Sequence, residues 1–149
     1  MRKLKISLTT KIFIGLIAGI VLGYLNPEWG KAVRPLSLLF LNLIKNAVEA
    51  VGDSGLLKVT SRVLADYSMT QKGERPSRMV AVDISDDGPG IKKAHLEQLF
   101  TPFFTTKTGG TGLGLAICQK IVSEHRGMIK VDSEPARGTT FTVMLPLIQ

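Results

Sequence analysis

A chain of 149 residues has room for one ordinary domain and a short extra segment, but not for two full domains. With 44% hydrophobic and 21% charged residues it is not wholly disordered. A single cysteine, Cys118, excludes a scaffold stapled by internal disulfides, and two histidines, His95 and His125, leave no zinc-ligand cluster. The net charge of +7 is uneven: residues 1–45 carry seven bases against Glu28, whereas residues 46–149 stand at +1. A nucleic-acid footprint would put the excess on the folded domain, interleaved with aromatics. Here it flanks an apolar run, which points to a membrane surface and away from nucleic acid.

That run, residues 12–25, is 14 residues long and uninterrupted, short of the roughly 20 needed to cross a bilayer. Extending it back to Ile6 takes in Ser7, Thr9, Thr10 and Lys11, and Lys11 can snorkel to the interface. Asn26-Pro27-Glu28-Trp29-Gly30 then reads as a turn with an interfacial aromatic, and no small-residue cleavage site precedes it. Residues 6–25 are therefore expected to lie at a membrane surface as an apolar helix. The bland alternative is a greasy helix that only packs or aggregates.

From residue 38 the pattern becomes that of an α/β domain. Leu39, Leu43, Ala47 and Ala50 recur at helical spacing and predict a helix over residues 38–51. Alternation predicts strands over 57–64 and 79–84, with a polar loop over 66–78 between them. A short helix over 92–99 and a longer one over 113–125 follow, the second with Leu113, Ile117, Ile121 and Val122 on one face. Strands over 128–131 and 140–145 close the chain. The expected fold is α+β, a two-layer α/β sandwich.

Four strings in this stretch carry chemistry. Asn42 and Asn46 stand four apart on one helical face, and a neutral amide oxygen can ligate Mg²⁺ beside polyphosphate without adding charge. Asp86-Asp87-Gly88-Pro89-Gly90 follows a strand. There a carboxylate can accept from an adenine amino group while the glycines let backbone approach the base. A plain turn would use the same residues. A calcium loop through Asp83, Ser85 and Asp87 fails at its twelfth position, where Ala94 replaces the required Glu. Phe100-Thr101-Pro102-Phe103-Phe104-Thr105-Thr106-Lys107 runs into Gly109-Gly110-Thr111-Gly112-Leu113-Gly114. Glycines opening a helix expose backbone N–H groups to phosphate, and Lys107 offers a mobile charge. The string matches neither a Walker loop nor a Rossmann fingerprint. Last, Arg137-Gly138-Thr139-Thr140-Phe141 offers a hydroxyl that could support the carboxylate of Asp86.

In this order, the strings resemble the asparagine, Asp-x-Gly-x-Gly, phenylalanine, glycine-lid and Gly-Thr boxes of the catalytic ATP-binding domain of sensor histidine kinases. The nitrogen-regulation type with a short lid is most similar, over about residues 38–149. The resemblance implies a Bergerat-type ATP-binding fold, normally opened by a strand or two that this chain lacks ahead of its asparagine helix. It implies ATP and Mg²⁺ as cofactors, with the metal at Asn46 and, less directly, Asn42. Asp86 would bind the adenine amino group, and Gly88 and Gly90 would line the base. Lys107, Gly110, Gly112 and Gly114 would hold phosphates, and Thr139 would back Asp86. Related hydrolases of the gyrase and heat-shock chaperone type place a general-base Glu where this chain has Asn42, which favours phosphoryl transfer over hydrolysis.

Residues 1–45 resemble the start of bacterial dicarboxylate and glutamate symporters, so the chain reads as a hybrid joined at Leu41-Asn42-Leu43-Ile44-Lys45. The expected domains are 1–37, a membrane-seeking segment, and 38–149, the ATP-binding domain on the cytoplasmic face of the bacterial inner membrane. No histidine precedes His95. A histidine kinase reading thus needs a phosphoacceptor dimerisation domain in trans, with a response regulator as further partner, and whether this chain is itself an enzyme stays open. A nucleotide-binding module without turnover and a non-functional symporter fragment are the alternatives.

Overall fold

The structure, a computed structural model, describes residues 27–67 and 77–147. The chain divides into two units, Met1–Ser37 and Leu38–Gln149. The expectations for residues 6–25, for most of the symporter-like string and for residues 68–76 of the polar loop fall outside the described residues. Among the described residues no helix is long and apolar enough to cross a membrane.

The elements in chain order are α1 (Pro27–Val51), β1 (Leu57–Tyr67), β2 (Ser77–Asp86), α2 (Lys93–Leu96), α3 (Gly114–Glu124), β3 (Met128–Glu134) and β4 (Gly138–Pro146). Helix α1 begins at Pro27, not at residue 38, and absorbs the supposed turn. Proline suits the first helical position because its missing N–H has no partner there anyway. At the other end Gly52, at φ +63°, donates its N–H to the Val48 carbonyl at 3.2 Å, a left-handed cap that ends the helix.

The four strands form one antiparallel sheet in the order β1-β2-β4-β3. Opposed pairs share a face. One face therefore carries Ile84 with Phe141 and Asp86 with Thr139, and the other carries Ala81 with Met144 and Asp83 with Thr142. The helical layer covers the first face. Leu39, Leu43 and Ala47 of α1 and Cys118, Ile121 and Val122 of α3 are buried together with Ile84, Phe141 and Val143. The two helices meet where the Cys118 thiol lies 3.7 Å from the Leu39 carbonyl. Burial raises the Cys118 thiol to about 11, against a smaller opposing effect from the Asn42 side chain. The second face holds a smaller cluster of Met79, Ala81 and Met144, with Leu64 and Met128 against it.

All four strands run further than alternation suggested, because their polar ends pair through backbone and need no apolar partner. Among the described residues β1 is an edge strand, and its Val59 and Val63 stand more than half exposed on the helix-covered side. Helix α2 is shorter than expected. Past Leu96 the chain tightens into i→i+3 turns, with Gln98 N–H donating to the His95 carbonyl and Thr101 N–H to that of Gln98.

The burial contrast along α1 is testable. Leu43 is 0% exposed and Leu41 is 64% exposed. Leu43→Ala is expected to cost about 2–5 kcal/mol in urea unfolding, whereas Leu41→Ala stays within about 0.5 kcal/mol of the parent.

Candidate functional site

Helix α1, the ends of β2 and β4, α2 and the loop 104–112 enclose a cleft of about 780 Å³. Asn42, Asn46, Asp86, Gly90, Lys107, Gly110, Gly112, Gly114 and Thr139 all stand on its wall. Gly88 does not. It sits behind Asp86, where its N–H donates to Asp86 Oδ1 at 3.0 Å.

Asp86 ends a central strand and is 9% exposed. Burial raises its carboxyl above the ordinary value, only partly offset by hydrogen bonds from the backbone amides of Gly88 and Thr139; the charge of Asp87 adds a small push in the same direction. The Thr139 hydroxyl pairs instead with Ser133 Oγ at 2.9 Å, so Thr139 supports Asp86 through its amide and not through the expected hydroxyl. The next carboxylate is structural: Asp87 Oδ1 accepts from the Leu56 N–H at 2.7 Å and pins the start of β1. Asp83, in the rejected calcium reading, faces the far side of the sheet. There it accepts from Arg62, from Thr142 at 2.7 Å and from Thr60 at 3.4 Å.

Beyond Asp86 the chain bends back onto the β3–β4 turn. The Ala136 N–H donates to the Pro89 carbonyl, and Gly90 adopts φ +69°, where a Cβ would collide with the Glu134 carbonyl. Gly112, at φ +65°, packs hard on the backbone of Phe103, and its carbonyl accepts from the Phe103 N–H at 3.0 Å. These two glycines shape the cleft mouth. The His95 and Phe104 rings meet edge to face on its wall, 5.7 Å between centroids.

On the α1 wall, Lys107 Nζ donates to Asn46 Oδ1 at 2.9 Å and to Glu49 Oε2 at 2.5 Å. The amide and carboxylate oxygens thus already hold a cation, and such oxygens are the donors that Mg²⁺ favours. The Asn42 side chain interacts with the Cys118 thiol. Helix α3 starts at Gly114 with no side chain capping its amino end and no acid in its first turn, leaving amide hydrogens and dipole free for an anion. Motif reading passed over Lys45, Glu49, Ile91 and His95, which also line the cleft. Glu49 was findable, since it lies three residues beyond Asn46 on the same helical face.

A buried carboxylate, an amide, a lysine and an uncapped helix start all line one cleft. The profile described as histidine kinase-, DNA gyrase B- and HSP90-like ATPase matches residues 32–149. The chain belongs to this ATPase family. Among curated relatives it is 41% identical to the sensor histidine kinase ZraS of Salmonella typhimurium over 113 residues, which is 76% of this chain and 22% of that protein. It is 43% identical to the sensory histidine kinase/phosphatase NtrB of Rhizobium leguminosarum over 112 residues, 72% of this chain and 29% of that protein. The chain thus spans less than a third of these relatives. Among solved structures, the nucleotide-free catalytic domain of histidine kinase ThkA matches with a TM-score of 0.62 at 37% identity, over 76% of this chain and 66% of that one. The mycobacterial sensor histidine kinase MprB matches with a TM-score of 0.60 at 29% identity, over 76% and 70%. The mixed helix and antiparallel-sheet fold is that of histidine kinase catalytic domains, and domains of the family bind ATP.

In this ATPase-family domain the raised carboxyl of Asp86 has a cost. Folding favours its neutral form, so its contribution is fullest at acid pH and is lost as pH rises from about 4 through the folded value. Asp86→Asn is therefore expected to be more stable than the parent at pH 7 by thermal or urea unfolding, with the difference closing below about pH 4. A variant less stable than the parent at pH 7 would contradict the burial account.

Proposed function

We propose that residues 38–149 bind Mg·ATP in this cleft, adenine at Asp86 and triphosphate at the end formed by Asn46, Lys107 and α3. The observation that supports this reading most is that the Asp86 carboxylate and the Asn46 amide line a single cleft large enough for a nucleotide. The buried carboxylate accepts from the exocyclic amino group, and Gly90 lets the ring approach the backbone. Lys107 supplies charge to the phosphates, and the free N–H groups at Gly114 cradle them. The metal, held by Asn46, would neutralise phosphate oxygens during transfer.

The γ-phosphoryl group would then pass to a histidine supplied in trans, by positioning and charge stabilisation. The protein's own residues favour transfer over hydrolysis, because Asn42 stands where related hydrolases carry a general base and an amide cannot take a proton at neutral pH. A dimerisation domain and a response regulator are the partners this reading requires. It places the domain in the cytoplasm at the inner membrane, with residues 6–25 at the membrane surface.

Calorimetry with a non-hydrolysable ATP analogue and Mg²⁺ is expected to give micromolar affinity. Asp86→Asn should weaken it at least about tenfold, roughly 1.4 kcal/mol for the lost adenine contact. Incubation with γ-labelled ATP and a purified dimerisation domain should place acid-labile label on that domain's histidine. Binding without transfer would reduce the protein to a nucleotide-binding module, and equal affinity of the two proteins would remove Asp86 from the base site.

A further inference from the structure

Lys107 lines the cleft, but its ammonium is already engaged on α1. Its ammonium should serve phosphates, yet it rests on α1, 2.9 Å from Asn46 Oδ1 and 2.5 Å from Glu49 Oε2. Asn46 and Glu49 lie three apart, so consecutive turns of one helix aim both oxygens at one point. An ammonium at that point is a monovalent cation in a nest of oxygen donors, where a divalent cation would be attracted more strongly.

Resting on the Mg·ATP reading, we propose that Glu49 is a positioning residue that parks the Lys107 ammonium on the Asn46 amide as a stand-in cation, so that Lys107 reaches the phosphates only after a divalent metal takes its place. The surroundings suit such an exchange. Glu49 has a second cation in waiting, since Lys45 Nζ stands 3.8 Å from its other oxygen, one helical turn back. When Lys107 leaves, the carboxylate stays paired and adds little repulsion beside the phosphates. The two lysines, Lys107 foremost, hold the Glu49 carboxyl below its ordinary value, so it is charged throughout the neutral range. The lysine itself can swing. It sits in a tight turn closed by the Gly110 N–H on its own carbonyl at 3.1 Å. Gly109 and Gly112 on its C-terminal side both hold positive φ, and the space around the Gly109 α-carbon is open. Lys107 and Glu49 are 47% and 42% exposed, so the latch is weak, on the scale of a surface pair, and nucleotide with metal can open it.

The device makes nucleotide affinity more dependent on metal than phosphate neutralisation alone would. Affinity for a non-hydrolysable ATP analogue is measured in EDTA and in saturating Mg²⁺ for the parent, Glu49→Gln, Lys107→Gln and the double variant, with backbone amide exchange of residues 105–112 in the nucleotide-free protein. Glu49→Gln is expected to bind about threefold tighter than the parent in EDTA and equally in Mg²⁺, the size of an exposed charge pair. Its loop amides should exchange about threefold faster. In the Lys107→Gln background the Glu49 substitution should leave the metal dependence unchanged, because the effect runs through the lysine. An unchanged metal dependence in Glu49→Gln overturns the proposal, as does an effect that persists without Lys107, which would be plain repulsion between Glu49 and phosphate. If no variant binds the analogue, the Mg·ATP reading has failed, and the exchange rates alone still decide whether the latch exists.

Discussion

A carboxylate buried at the end of a central strand is costly unless something needs it there, and the placement of Asp86 is the constraint around which the rest of the site is arranged. Two backbone amides, from Gly88 and Thr139, are what the fold gives it, and among the described residues no ion pair includes it. Asp83, on the same strand but the opposite face, shows the other solution, with Arg62 and two hydroxyls around it. Asp83 is fully engaged by its neighbours. Asp86 keeps acceptor capacity facing the cleft.

The β2–β4 register makes this difference. Asp86 lies opposite Thr139 and Ile84 opposite Phe141, so the face that carries the core also carries the site. A slip of one residue would exchange Asp86 for its structural neighbour and turn the carboxylate away from α1. Helix α1 supplies the other side of the cleft. Leu39, Leu43 and Ala47 fix its rotation against the core, and that rotation presents Asn42, Asn46 and Glu49 to the cleft. The same packed stripe therefore sets both stability and the direction of the Asn42, Asn46 and Glu49 side chains.

Much of this was legible in the sequence where the chemistry is local. The Asp86 string, the asparagine pair and the glycine run each name their own residues, and helical or alternating spacing supplied the elements beneath them. What was not legible depends on which segments meet. Thr139 was expected to use its hydroxyl, but the hydroxyl turns to Ser133 on the neighbouring strand, a partner that only the β3–β4 pairing reveals. Gly88 lies behind the carboxylate because α1 ends against it, with the Ala50 carbonyl 3.0 Å from where its side chain would be. Glu49 acquires meaning only when the loop 104–112 brings Lys107 across to it, 58 residues later. Pro27 was read as a turn because proline punctuates sequences, although it opens helices equally well.

The proposed Mg·ATP site requires one nucleotide to reach from Asp86 to Asn46 and Lys107. NMR titration of the labelled protein with an ATP analogue and Mg²⁺ tests this directly. The Gly88 and Thr139 amides should shift together with the Asn46 side-chain amide and Lys107 Nζ along one binding curve, and adenosine alone should move only the first pair. Separate saturation of the two ends, or movement confined to one of them, would contradict it.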